Sequence, residues 1–111
     1  MKLSILALAS ALSLASCQTD SAHAFGSVWY GGTTQSIPLD ARCTTLAGEL
    51  TRSLGSLLIP RPQPGYLTEC HLFEYENCSG PFVILRVSQP DLFNTFGLIG
   101  RRTTTIRCFV D

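Results

Sequence analysis

Apolar residues crowd the first fifteen positions, where "LSILALASALSLA" follows the positive start Met1-Lys2 and only serines interrupt it. That run has the length of a signal-peptide core and is too short to span a bilayer. Beyond it, apolar positions rarely recur at helical spacing, and strand-like runs bounded by turn residues replace them. "SVWY" ends at Gly31-Gly32, "TTQSIPL" reads as extended, and "SLGSLLI" stops at Pro60. "RCTTLAGEL" is ambiguous, because Leu46, Ala47 and Leu50 fit one short helical turn. "PRPQPG" sets proline at alternate positions, which fixes φ and favours an exposed, extended connector. "YLTECHLFEY" predicts a strand, and "PFVILRV", the most β-like run, predicts a central buried one. "QPDLFNTFGLIG" reads as a loop with one turn of helix, and "TTTIRCFV" as the closing strand.

These runs fall into two halves around the connector, 25–59 and 66–111, joined through 60–65. "WYGG" in the first half corresponds to "CSG" in the second, and "TRSLGSLL" to "RRTTTIRC". Two matched units of roughly 40 residues predict a duplicated motif. Two four-stranded units packed face to face make an all-β fold, a small sandwich of two Greek keys.

Cysteine count sharpens the expected start of that fold. Three processing points fit the leader: after Ala15, after Ala24 in the triplet Ala22-His23-Ala24, or before Cys17, where "LASC" reads as a lipoprotein box. Five cysteines leave one unpaired in an oxidising compartment. Removing 1–24 leaves Cys43, Cys70, Cys78 and Cys108, an even set, so 25–111 is the expected secreted domain. At that size a domain gains much from covalent staples.

Charge then excludes a function class. In 25–111, Arg42, Arg52, Arg61, Arg86, Arg101, Arg102 and Arg107 balance Asp40, Glu49, Glu69, Glu74, Glu76, Asp91 and Asp111, and no lysine remains. A nucleic-acid binder needs a basic surplus to displace counterions, and this chain has none. No second apolar span follows the leader, so no membrane span is expected.

"LFEYENCSGPFVIL", "PDLF" and "TTTIRC" together resemble the βγ-crystallin Greek-key motif, in its small secreted, cysteine-containing microbial and fungal form. In that motif an aromatic-acid pair precedes a second aromatic and an x-Gly, and a hydroxyl from the last strand ties down the folded hairpin. Phe73-Glu74 match the pair, Cys78 stands at the second aromatic, Ser79-Gly80 match the x-Gly and Leu92 the loop leucine. Thr104 or Thr105 is the expected hydroxyl, with Ser53 or Ser56 in the first half. The hairpin demands positive φ, which suits Gly80, and a hydroxyl can satisfy the backbone groups it exposes.

The resemblance carries two further implications. In a Greek key the first and last strands lie antiparallel side by side, which implies Cys70–Cys108, and Cys43–Cys78 then joins the halves; four cysteines otherwise allow three pairings. Many members bind calcium through two Asn/Asp residues ahead of a Ser/Thr pair. With the pair at Thr104-Thr105, Gly100-Arg101 occupy the acid positions, and a guanidinium offers no lone pair to an ion that wants six to eight oxygens. No calcium and no other cofactor is therefore expected.

The remaining chemistry is sparse. Glu69, Glu74 and Glu76 supply carboxylates of the kind glycosidases pair, yet Glu74 and Glu76 fit a solvated strand edge and no substrate cleft is expected. His71 is the only histidine left after 1–24 and lacks the short cysteine spacings of a zinc site. No catalytic and no metal-ligating residue is assigned. Alternating prolines suit a stiff, exposed linker between the halves, and Arg61, flanked by Pro60 and Pro62, is the candidate partner contact within it, because proline cuts the entropy a loop loses on binding. The expectation is a non-enzymatic extracellular binder of an unidentified protein or cell-surface target, acting as a toxin-like, effector or wall-associated protein. The alternative is a protease inhibitor presenting Arg61, since crystallin-like inhibitors of microbial proteases are known.

Overall fold

The computed structural model describes residues 21–61 and 64–111. The leader core, the Ala15 processing point and Cys17 lie outside the described residues. Seven strands run β1 Ser21–Ser27, β2 Gly31–Pro38, β3 Asp40–Thr45, β4 Ser56–Leu58, β5 Thr68–Tyr75, β6 Ser79–Leu85 and β7 Thr105–Val110. They form a three-stranded sheet, β2-β1-β4, and a four-stranded sheet, β3-β7-β5-β6. The fold is an all-β sandwich, as the alternating runs imply.

The halves do not pack as two self-contained units. β3 belongs to the first half but pairs with β7 in the second sheet. Reciprocally, Gln89 of the second half bridges Leu57 of β4, with N–H···O bonds of 3.0 and 2.9 Å. Each half thus lends its third segment to the other's sheet, and the sandwich interlocks. Periodicity cannot reveal this, because a strand's alternation fixes its faces but not its neighbours.

Two element expectations change. "PFVILRV" does not form the central buried strand: β6 is the edge of its sheet, and Phe82 and Ile84 are half exposed. β5 and β7 occupy the centre. "SVWY" is not a strand end, since β1 stops at Ser27 and Val28–Tyr30 make a turn in which Trp29 and Tyr30 take left-handed backbone at φ 56° and 60°. The single helical turn expected before the closing strand is present at Ile99–Arg101.

The folded unit also starts earlier than Phe25. β1 begins at Ser21, lies between β2 and β4, and buries Ala22 and Ala24 completely. The core between the sheets is aliphatic: Ala22, Ala24, Ile37 and Leu57 meet Leu72, Leu85 and Ile106, with Leu50, Leu54, Leu92 and Ile99 closing the ends. Fully burying a Leu or Ile side chain contributes about 1.5–3 kcal/mol.

Both disulfides join the pairs that the Greek-key arrangement implies. Cys70 on β5 faces Cys108 on β7, fully buried, with Cα atoms 4.1 Å apart. Cys43 on β3 reaches Cys78 in the turn after β5, with Cα atoms 5.9 Å apart. The second bridge therefore ties the first half's exchanged strand to the second half's hairpin.

Candidate functional site

Each half forms its hairpin with the same two devices, a turn of positive-φ residues and a buried hydroxyl. Trp29, Tyr30 and Gly32 have positive φ in the first; Asn77, Cys78 and Gly80 repeat this in the second. Gly80 has no alternative: at φ 83°, a Cβ would stand 2.3 Å from the Tyr75 ring. The aromatic beside the turn glycine is thus Tyr75, while Cys78, at the position of the motif's second aromatic, carries the disulfide. A buried hydroxyl then locks each hairpin. The Tyr30 N–H donates to Ser56 Oγ at 2.9 Å, and Ser56 Oγ donates to the Ser27 carbonyl at 2.7 Å. The Cys78 N–H donates to Thr105 Oγ1 at 3.1 Å, and Thr105 Oγ1 donates to the Tyr75 carbonyl at 2.8 Å. Of the paired alternatives, Ser56 and Thr105 hold the hairpins. Thr104 serves through its backbone, its N–H donating to the Phe73 carbonyl at 2.8 Å.

This fold matches solved βγ-crystallin domains. A domain from Flavobacterium johnsoniae superposes with a TM-score of 0.64 at 19% identity, covering 81% of this chain and 94% of that one. The domain of Abundant Perithecial Protein from Neurospora crassa, solved in a Ca²⁺-bound form, gives 0.64 at 14% identity over 84% and 91%. The N-terminal domain of Protein S gives 0.60 at 15% identity over 80% and 94%. The fold is that of a βγ-crystallin domain. No family model matches the sequence, and no curated protein matches it.

The Neurospora crassa domain was solved with Ca²⁺ bound, and the residues of this chain do not fit the acid-and-hydroxyl calcium pattern considered from its sequence. With Ser56 and Thr105 as equivalent hydroxyls, Thr51-Arg52 and Gly100-Arg101 take the acid positions. Arg101 already serves as a cation there: its Nε donates to the Phe93 carbonyl at 3.2 Å and its guanidinium lies 5.2 Å from the Phe93 ring centroid. Thr103 Oγ1 donates to the Ile99 carbonyl at 2.8 Å, so oxygens near this corner have partners within the chain. Among the described residues no three His, Cys, Asp or Glu side chains converge as a metal site.

The carboxylates singled out by sequence go to separate places. Glu74 lies on β5 with its Oε2 3.5 Å from Arg102 Nε, while Glu76 falls beyond the strand, exposed in the turn. They do not share a strand face. Glu69 accepts from His71 Nε2 at 2.6 Å and lies 3.4 Å from Arg86. The His71 hydrogen bond and the Arg86 charge hold the Glu69 carboxyl below its ordinary range.

Sequence reading missed the setting of that pair. Glu69, His71 and Phe73 of β5 point away from the core, opposite Phe109 and Arg107 of β7 and Ile84 and Phe82 of β6. His71 stacks on Phe82 at 5.5 Å and meets Phe109 edge-on at 5.3 Å, and Phe73 lies 5.1 Å from Phe82. The outer face of this sheet is therefore aromatic while the core is aliphatic, an inversion readable only once strand register is known.

Arg61 is exposed. It lines an open groove of about 740 Å³ with Tyr66, Leu67, Arg86 and Val87. Tyr66, Leu67 and Val87 are more than half exposed. The groove runs between the connector and the end of β6, so it places Arg61 on the same wall system as Arg86, which also faces Glu69.

Proposed function

We propose that this chain is a secreted, non-enzymatic βγ-crystallin-like protein that acts by binding an extracellular, cell-surface target through the connector groove. The observation that carries the reading is the groove itself: two guanidinium groups, Arg61 and Arg86, beside the exposed apolar side chains of Tyr66, Leu67 and Val87. Exposed apolar surface flanked by cations fits an anionic target with an apolar component. Two structural disulfides suit an oxidising environment, and among the described residues no helix is long and apolar enough to cross a membrane. A non-enzymatic role is supported by the tightly packed His71, whose ring lies between two phenyl groups and whose Nε2 is held by Glu69.

The test is retention of the labelled protein on intact cells and wall fragments of the producing organism and its neighbours. The wild type is expected to be retained in a salt-sensitive manner, and R61A/R86A to lose at least about tenfold of that affinity, or roughly 1.4 kcal/mol. Equal retention of both proteins overturns the groove as the binding site.

Exposure of Arg61 next to Pro60 favours one second reading, a protease inhibitor that offers Arg61 to a trypsin-like enzyme. Inhibition that R61A abolishes would support it; no inhibition across protease classes discards it.

A further inference from the structure

Cysteine parity places the end of the leader at Ala24, and the pairing of β1 argues against that cut. Ser21, Ala22, His23 and Ala24 pair with Pro38, Ile37, Ser36 and Gln35 of β2, and His23 and Ala24 pair on the other side with Leu58 and Leu57 of β4. Ala22 and Ala24 are fully buried against a core that includes Ile37 and Leu57. A cut after Ala24 removes the paired half of a central strand, leaving Phe25–Ser27 as the only strand between β2 and β4. The small-x-small triplet Ala22-His23-Ala24 is thus explained without a peptidase. Small alternate residues there let the two sheets approach, which is a packing requirement.

We infer that the leader is removed upstream of β1, at Ala15–Ser16 or Ser16–Cys17, so that Cys17 stays on the mature chain. Ser13-Leu14-Ala15 supplies the small residues that a leader peptidase reads, directly after the apolar run. The step is hydrolysis of one peptide bond: water adds across it, leaving a carboxylate on the released leader and an amine on the mature chain. The cysteine parity that favours Ala24 loses its force, because Cys43, Cys70, Cys78 and Cys108 already pair among themselves. Cys17 becomes a fifth cysteine a few residues ahead of β1, outside both bridges.

The inference rests on the secretion reading, and one experiment separates the two. The full chain is expressed in a secreting host, and the protein in the medium is analysed by N-terminal sequencing and intact mass with and without thiol alkylation. A chain starting at Ser16 or Cys17 is expected, carrying one alkylation site or one adduct beyond the two bridges. An N-terminus at Gln18 or later, Phe25 included, overturns the inference while leaving secretion intact. An uncleaved chain starting at Met1 and held in the cells overturns both. As a second measurement, chains beginning at Ser16 and at Phe25 are placed behind an unrelated leader. The Phe25 chain is expected to lose at least tenfold in secreted yield; equal yields with equal Tm overturn the inference.

Discussion

Ser56 and Thr105 occupy the same place in the two halves, each hydroxyl bridging an N–H and a C=O of a hairpin that would otherwise leave both unpaired. Both residues are fully buried. S56A and T105V should each cost about 1–3 kcal/mol, the penalty for orphaned buried polar groups, read as a shift in the urea midpoint at constant m-value. Glu69 makes a prediction in pH. Its carboxyl is held below the ordinary range mainly by the His71 hydrogen bond, so its stabilisation is complete above the unfolded-state value near 4.5. It is lost as pH falls through the lower folded value. Asp40, paired with exposed Arg42, shifts in the same direction. E69Q should therefore flatten the loss of Tm below about pH 4.5, without abolishing it. At this scale the sequence spoke clearly where a residue's own backbone was at stake, as at Gly80. It was silent on which hydroxyl holds the hairpin, because Thr104 and Thr105 differ only in which way the strand turns them.

Strands and their cross-links respond to different questions. Residue 43 is separated from 78 by 35 positions and residue 70 from 108 by 38. Each bridge should stabilise by about 4 kcal/mol in the chain-entropy model, and replacing either pair should cost about that much in denaturant unfolding. Their accessibility differs, however. Cys43 is exposed, whereas Cys70 and Cys108 are fully buried between the sheets. Graded reduction followed by alkylation and mass mapping should label Cys43 and Cys78 first, with Cys70 and Cys108 opening only as the sheet unfolds. Simultaneous labelling of all four would show that the core offers the inner bridge no protection. The strand content was readable from alternating runs. The edge position of β6 was not, since an apolar run such as "PFVIL" fits a buried strand or an exposed edge until its neighbours are known.

For the whole molecule, the exchange of β3 and the Gln89 segment makes the halves mutually dependent, so neither sheet is complete without the other half. Arg101 Nε donates to the Phe93 carbonyl, so a guanidinium stands where the calcium pattern would call for a carboxylate. Thermal melts in chelator and in millimolar calcium should therefore coincide, whereas R101A should lower Tm in both. A calcium-dependent rise in Tm would require a ligand set that these side chains do not form.

By itself, the sequence determined what depends on composition and local chain geometry. This comprises the strand-rich class and the duplicated hairpins with their positive-φ glycine. Tertiary structure alone decided everything that depends on which strand lies beside which. It chose the hydroxyls that hold the hairpins, put "PFVIL" at an edge, turned the aromatics outward around His71, gathered Arg61 and Arg86 at one groove, and drew Ser21–Ala24 into a central strand. The physical reason is that alternation along a strand sets which side chains share a face, but only pairing with neighbouring strands sets what that face meets.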